Sequence, residues 1–157
     1  MKAKMHDIGA LLTARYGLGN TAVTAGGGGD ATEVNGAWID VTGFESIKVL
    51  VPFTTTLAAT ETLSFAANLQ DATALAGTGA ADFGDAIAAT VVATGPAGGG
   101  TVTGVVEMDF DVSQSRGFVR VQATPDLSRA NTDTAAFSAV YVLGGAMREP
   151  VTAAINA

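Results

Sequence analysis

The sequence contains no cysteine and only one histidine, His6. The missing thiols exclude disulfide bonds, a thiolate nucleophile and a cysteine-ligated metal centre. The single histidine lies in a segment that we interpret as an arm, where nothing would hold it in the geometry that a Ser-His-Asp triad needs. We therefore expect a protein that is not an enzyme and that carries no cofactor.

Charged residues are also scarce. They make up 15% of the 157 residues, whereas about 25% is usual. Eight lysines and arginines stand against 15 acidic residues, which gives a formal net charge of −7. Binding to nucleic acid requires clustered basic residues, so we expect no direct contact with nucleic acid. A surface with so few charges suits a chain that neighbouring subunits cover.

Long apolar runs are missing as well. No stretch approaches the roughly 18 residues that span a bilayer, so we expect no membrane partner. The apolar run from Ile8 is short and ends at Arg15, and we interpret the amino terminus as mature sequence rather than a signal peptide. Residues 1–30 are expected to form an N-terminal arm, with a short helix over Ile8 to Tyr16 and a glycine-rich hinge.

Four consecutive glycines, Gly26 to Gly29, precede the only tryptophan, Trp38. A phosphate-binding loop requires a strand before it, and a helix with a lysine at its start after it. Here the run leads into a predicted strand, and no lysine lies between Lys4 and Lys48. We therefore interpret the glycines as a flexible joint.

Residues 31–157 have the pattern of an all-β domain, an antiparallel β-sandwich of about seven strands. Apolar residues alternate with other residues in several segments that turn-forming residues separate: 47–53, 63–69, 106–112 and 137–143. Pro52 predicts an edge strand or a strand end. The last segment is apolar on both faces, which predicts a central strand or one that another subunit covers.

Glu107, Asp109 and Asp111 alternate with apolar residues, so their side chains point to the same face of a strand. We interpret this row as solvated or as facing a basic partner. A calcium site and a glycosidase-like acid pair are the alternatives.

Arg116 and Arg120 flank Phe118 in the segment "RGFVRV", where Val119 and Val121 share the opposite face. Two interpretations stand side by side. The arginine stem covers an aromatic ring with its head in water or on an aspartate, or these residues form a subunit contact.

Four segments resemble small proteins encoded in the structural gene clusters of tailed bacteriophages: "NGAWIDVTGFESIKVLVPF", "LSFAANLQDA", "RGFVRVQATPD" and "AVYVLGGAMREP". The resemblance covers about Asn35 to Pro150. It implies a virion component, a capsid decoration (cement) protein on the head surface, assembled in the host cytoplasm. It also implies the major capsid protein and further copies of the chain, in a homotrimer, as partners. The family's motifs are structural, and they carry no catalytic residue to this sequence.

Two other functions are weighed against this one. A tail or neck component of the ring-forming kind would need a helix packed on the sandwich, and no helix is predicted after residue 20. A carbohydrate-binding module would need an aromatic platform, and the few aromatic residues are scattered. The candidate partner-binding residues are Lys2, Lys4, Arg15, Tyr16, Trp38, Arg116, Phe118, Arg120 and Tyr141.

Overall fold

A computed structural model describes residues 8–128 and 132–147. One short helix, α1 (Ile8–Leu11), precedes nine strands in this part of the chain. The strands are β1 (Thr13–Thr24), β2 (Val34–Asn35), β3 (Ile39–Asp40), β4 (Ser46–Leu57), β5 (Thr62–Ala72), β6 (Ala81–Thr94), β7 (Gly100–Asp111), β8 (Phe118–Leu127) and β9 (Thr134–Gly144). No helix in the described ranges is long and apolar enough to cross a membrane.

The strands form two antiparallel sheets, which confirms the predicted all-β sandwich. Sheet A has the order β1-β9-β4-β7, and sheet B has the order β2-β8-β5-β6, with β3 also paired to β8. Seven strands are long, as expected, and β2 and β3 add two residues each. The last strand, β9, lies between β1 and β4, so the first of the two predictions for it, a central strand, is confirmed.

The core lies between the sheets and follows the predicted alternation. On β4 the residues Ile47, Val49 and Val51 are buried, because alternate side chains of a strand point to the same face. At the centre, the ring of Phe65 on β5 meets that of Phe137 on β9 edge to face, with centroids 5.1 Å apart. The two sheets are therefore joined by aromatic as well as aliphatic contacts.

The structure differs from the expected arm. The segment Thr13–Thr24 is an edge strand that pairs with β9 from Thr13 opposite Leu143 to Thr24 opposite Thr134, and the helix ends at Leu11. Two register shifts, on either side of Leu18, interrupt this pairing. Each shift exchanges the inward and outward faces of the strand, so the sequence shows no continuous alternation there. Lys2, Lys4 and His6 lie outside the described residues.

The glycine run is an ordered turn between β1 and β2 and not a flexible joint. The backbone N–H of Gly26 donates to Asp30 Oδ2 at 2.7 Å, and that of Leu127, at the end of β8, donates to Asp30 Oδ1 at 2.9 Å. Gly26 has a φ of +69°, which glycine adopts without strain. One carboxylate thus ties the turn to sheet B.

The expectation that Pro52 marks an edge or an end is wrong. Pro52 lies in the middle of β4, which is flanked by β9 and β7. It pairs with Val105 on β7, whereas the ladder to β9 has no pair between Leu50 and Phe53. The proline, which has no N–H to donate, thus coincides with a short gap in the ladder to β9, and the pairing continues in the same register on both sides of it.

Candidate functional site

The outer side of sheet A, which we call the sheet A face, carries an apolar line that crosses three strands. Tyr16 on β1 is opposite Val140 on β9, and Val140 is opposite Leu50 on β4. Tyr16 is 67% exposed and Val140 is 38% exposed, whereas Leu50 is half-buried. These residues point outward because their neighbours on β4 and β9, including Val49 and Tyr141, point into the core.

Other exposed apolar side chains extend the sheet A face on both sides of this line. Val105 on β7 is 56% exposed, and Leu12, next to β1, is 39% exposed. An open depression of about 750 Å³ lies at one end of the face and is lined by Leu12, Lys48, Asp109 and Val142, among others. The apolar side chains thus form a line across β1, β9 and β4, while polar residues such as Lys48, Thr54 and Thr56 on β4 lie on the same face.

The acidic row forms the β7 border of the same face. Glu107 is opposite Leu50, and Asp109 is opposite Lys48. The ammonium of Lys48 lies 3.0 Å from Glu107 Oε2 and 2.9 Å from Asp109 Oδ1. The hydrogen bond to Asp109 raises the pKa of Lys48 most, and the hydrogen bond to Glu107 raises it further. A lysine thus holds the place between two carboxylates that a calcium ion would need.

The third member of the row, Asp111, is used locally. Its Oδ1 accepts a hydrogen bond from the backbone N–H of Ser113 at 2.9 Å. The hydrogen bond from the Ser113 side chain lowers the pKa of Asp111 most, and the one from the Ser113 backbone lowers it further. No group of three or more metal-ligating side chains occurs in the ranges that the structure describes.

The outer side of sheet B is polar. Arg120 on β8 places its guanidinium carbon 4.8 Å from the centroid of the Trp38 ring and donates to Gln70 Oε1 from Nε at 3.1 Å and from Nη2 at 2.9 Å. On the Trp38 side, the turn at Gly77 leaves no room for a Cβ, which would lie 2.6 Å from the indole nitrogen. The tryptophan is therefore packed between an arginine and a turn rather than presented as a platform for a sugar.

A continuous row of amides and carboxylates extends from Arg120 across sheet B. Asn68 on β5 donates to Gln122 Oε1 at 2.9 Å and to Asp82 Oδ1 at 3.0 Å, and Gln70 donates to the same aspartate oxygen at 3.0 Å. Gln122 donates in turn to Glu33 and to Asn35 Oδ1. The polar atoms of this row satisfy one another, and the row links β2, β8, β5 and β6.

Arg116 fixes the loop between β5 and β6. Its guanidinium pairs with the buried carboxylate of Asp71 and donates to Gly79 O at 2.9 Å, and its backbone N–H donates to Asp71 Oδ2 at 3.0 Å. The hydrogen bond from the Arg116 side chain lowers the pKa of Asp71, and the same contact raises the pKa of Arg116. This arginine therefore has an internal partner.

The predicted partner-binding residues do not form one site. Arg15 and Tyr16 lie on β1 in sheet A, whereas Phe118 and Arg120 lie on β8 in sheet B. Trp38 lies between β2 and β3 and contacts Arg120, and Arg116 lies between β7 and β8 and contacts Asp71. Tyr141 is 0% exposed and cannot contact a partner of the folded chain. The prediction that it is a partner-binding residue is therefore wrong. It faces inward because β9 alternates and its odd-numbered residues line the core.

Sequence reasoning missed Leu50 as a surface residue. Its neighbours Val49 and Val51 are also apolar, so the strand has no polar side that would mark the outer face. The signal for Val140 was present, because it alternates with Phe137, Ala139 and Tyr141 in a strand that is apolar on both faces. Only the pairing between β4 and β9 shows that the two side chains are adjacent.

The described chain is thus an antiparallel β-sandwich, with an apolar line across the outer side of sheet A and a row of hydrogen-bonded polar side chains across that of sheet B. No family model and no curated protein matches the sequence. Among solved structures, it is similar to a chain of infectious bursal disease virus, Gt strain, with 10% identity and a TM-score of 0.43 over 89% of this chain and 36% of that one. A chain of the infectious bursal disease virus VP2 subviral particle gives 10% identity and a TM-score of 0.42, over 88% of this chain and 34% of that one.

This chain therefore spans about a third of the length of those viral chains. At such identities and TM-scores the similarity assigns neither a family nor a function. The functional argument rests on the residues of the chain itself.

Proposed function

We propose that this chain is a structural protein of a bacteriophage virion, a capsid decoration protein that stabilises the head by binding the major capsid protein. The observation that carries the proposal is where the phage-like segments lie. Tyr141, from "AVYVLGGAMREP", accepts the Val121 N–H of "RGFVRVQATPD" at 3.0 Å and donates to Ala37 O, in "NGAWIDV", at 3.3 Å. Three of the four resembling segments thus meet at one buried junction between the sheets.

Because the resembling segments meet in the core, this junction supports the view that the chain has the same β-sandwich scaffold as those phage proteins. The partner contacts would then lie on the outer surfaces of the sandwich. Gly36 belongs to the junction because a Cβ there would overlap with the Tyr141 hydroxyl. Each copy that binds an assembled shell, and not the separated subunits, stabilises the shell by mass action. No catalytic group is needed for such a role.

The proposed partners are the major capsid protein and further copies of this chain, located at the capsid surface. Arg15, Tyr16, Arg116, Phe118 and Arg120 remain proposed contact residues, as do Trp38 and, outside the described residues, Lys2 and Lys4. The homotrimer and assembly in the host cytoplasm are expectations from the sequence resemblance alone.

The test is the composition of virus particles produced by the phage that encodes this chain. Quantitative mass spectrometry of purified particles should find the chain in copy number comparable to that of the major capsid protein, and antibody labelling in electron microscopy should decorate the heads. Labelling confined to the tail or neck would replace the proposal with the alternative structural role. Absence from particles would refute both.

A further inference from the structure

We propose that the sheet A face is a contact between two copies of this chain, packed face to face around a two-fold axis that runs parallel to the strands. This inference goes beyond the proposed function, because it names the surface and symmetry of self-association rather than a contact with a shell. It rests on the size of the face, on its apolar line and on the position of its charges.

The face is large enough for such a contact. Strands β1, β4 and β7 have 12 residues each, and β9 has 11. With strands about 4.8 Å apart and a rise of about 3.3 Å per residue, the four strands present about 750 Å². A stable interface typically buries about 800 Å² per partner. The face of one sheet therefore matches the size of one side of a dimer interface.

The apolar line supplies the centre of the contact. Val140 and Leu50 lie on β9 and β4, the two middle strands of sheet A. A two-fold axis between these strands places Val140 of one copy over Leu50 of the other, and the reverse. The closed contact buries the partly exposed side chains of both copies, and this burial drives association.

The acidic row selects the direction of the axis. Two identical faces can also pack around an axis perpendicular to the strands, but β7 then lies over β7, which brings the acidic residues of both copies to the same pair of strands. Like charges across an interface oppose binding. With the axis parallel to the strands, β7 of each copy lies over β1 of the other.

The parallel axis brings complementary groups together. Along the strands, Glu107 is level with Tyr16, through Leu50 and Val140, and Asp109 is level with Ala14. Tyr16 is 67% exposed, and a tyrosine hydroxyl can donate to a carboxylate. Strand β1 carries no acidic residue. The acidic border of one copy therefore faces a strand of the other copy that has an exposed tyrosine and no like charge.

Sedimentation equilibrium of the full chain, measured over a range of concentrations, tests the contact. The unmodified protein should sediment as a dimer. Val140→Lys places a charge at the centre of the apolar line and should weaken dimerisation by roughly tenfold or more. Val91→Lys is the matched control, because Val91 is 55% exposed but lies on β6 in the other sheet, and it should leave the dimer unchanged. Thermal unfolding of both variants checks that they fold.

Charge substitutions at Tyr16 test the axis. With the parallel axis, Tyr16→Glu faces the acidic row of the other copy and weakens the dimer, whereas Tyr16→Lys preserves it and makes it sensitive to salt. With the perpendicular axis, Tyr16 lies over β1 of the other copy and not over its acidic row, so a charge of either sign is buried without a partner and both substitutions weaken the dimer. That second pattern overturns the proposed symmetry.

A monomer at all concentrations, a trimer, or a dimer that Val140→Lys leaves intact would overturn the inference. These outcomes are separate from the fate of the proposed function. A dimer that depends on Val140 but is absent from virus particles would refute the decoration role and leave the self-contact standing. A trimer found on phage heads would support the decoration role and refute the proposed two-fold contact.

Discussion

The hydroxyl of Tyr141, on sheet A, accepts a hydrogen bond from the backbone N–H of Val121, on sheet B, at a distance of 3.0 Å. Both residues are buried, and the bond crosses the core of the sandwich. The tyrosine side chain crosses the core and reaches β8 in the interval between β2 and β3, where the Gly36 N–H donates to Val121 O at 2.8 Å. Gly36 occupies that interval and allows the tyrosine to reach the backbone.

The first prediction concerns the removal of this hydroxyl. Tyr141→Phe keeps the ring but leaves the buried Val121 N–H without its acceptor, and it should lower the free energy of unfolding by about 1–3 kcal/mol. Urea denaturation at neutral pH measures the loss. Tyr16→Phe is the control, measured at protein concentrations low enough to dissociate the proposed dimer, since it removes a hydroxyl at an exposed position. Equal losses in the two variants would contradict the role of the hydrogen bond.

The same hydroxyl predicts a loss of stability in alkali. Burial raises the pKa of Tyr141 to about 12, from an unperturbed value of 10.0. Between these two values the unfolded chain has released the proton and the folded chain still holds it, so the free energy of unfolding falls as the pH rises. The loss is about 1.4 kcal/mol per pH unit, or roughly 2–3 kcal/mol over the interval.

Two measurements check this prediction. In a Tyr16→Phe background, Tyr141 is the only tyrosine, and its absorbance should show ionisation late in the alkaline titration. In Tyr141→Phe, the part of the alkaline destabilisation that this group causes should disappear. An unchanged pH dependence in that variant would show that another group is responsible.

The Asp71–Arg116 pair predicts an opposite dependence in acid. Arg116 lowers the pKa of Asp71, so the stabilisation is fully present above the unperturbed pKa of 3.8 and is lost as the pH falls through the folded value. Asp71→Asn should therefore be less stable than the unmodified protein at neutral pH, and the difference should shrink in acid. Urea denaturation over this pH range measures it.

Asp85→Asn provides the control for this pair, because it makes the same change of charge at an exposed position on β6. Its stability should follow that of the unmodified protein at every pH. If the difference in the free energy of unfolding between Asp71→Asn and the unmodified protein stayed constant with pH, the stabilisation by Asp71 would not depend on its ionisation.

The ordered glycine turn predicts opposite effects of two neighbouring substitutions. Gly26 has a φ of +69°, so Gly26→Ala should destabilise the chain by about 1–2 kcal/mol. At Gly28 the φ lies outside the left-handed region, and a Cβ would meet no atom of the described chain within 4 Å. Gly28→Ala should therefore be neutral, or stabilising by up to about 1 kcal/mol. If Gly26→Ala and Gly28→Ala both left the midpoint of thermal unfolding unchanged, the glycine run would be a flexible segment and not an ordered turn.

The strands that the sequence predicted are those in which apolar residues recur at every second position. In β4, β7 and β9 these recurring residues are the ones that face the core. The pattern fails for β1, where two register shifts and the residues Gly17 and Gly19 hide the period. Local pattern also misplaced Pro52, because a gap in a ladder depends on a neighbouring strand that is distant in sequence.

The candidate site was less predictable than the fold for the same reason. Tyr16, Val140 and Leu50 come together only through the pairing of three strands from both ends of the chain. Trp38 and Arg120 were both recognised as contact residues, but the sequence does not show that one lies over the other. Tyr141 was assigned to the surface by its residue type, whereas its strand periodicity places it in the core.

The final prediction concerns calcium and the acidic row. In the unmodified protein, calcium should leave the midpoint of thermal unfolding unchanged, because the Lys48 ammonium already lies 3.0 Å from Glu107 and 2.9 Å from Asp109. Lys48→Met removes this cation and leaves the two carboxylates as neighbours of like charge, so calcium should raise the midpoint of that variant. The double variant Lys48→Met/Asp109→Asn has one carboxylate fewer and should lose the response. A rise in the unmodified protein would mean that calcium displaces the lysine or binds elsewhere, and the double variant distinguishes these two cases.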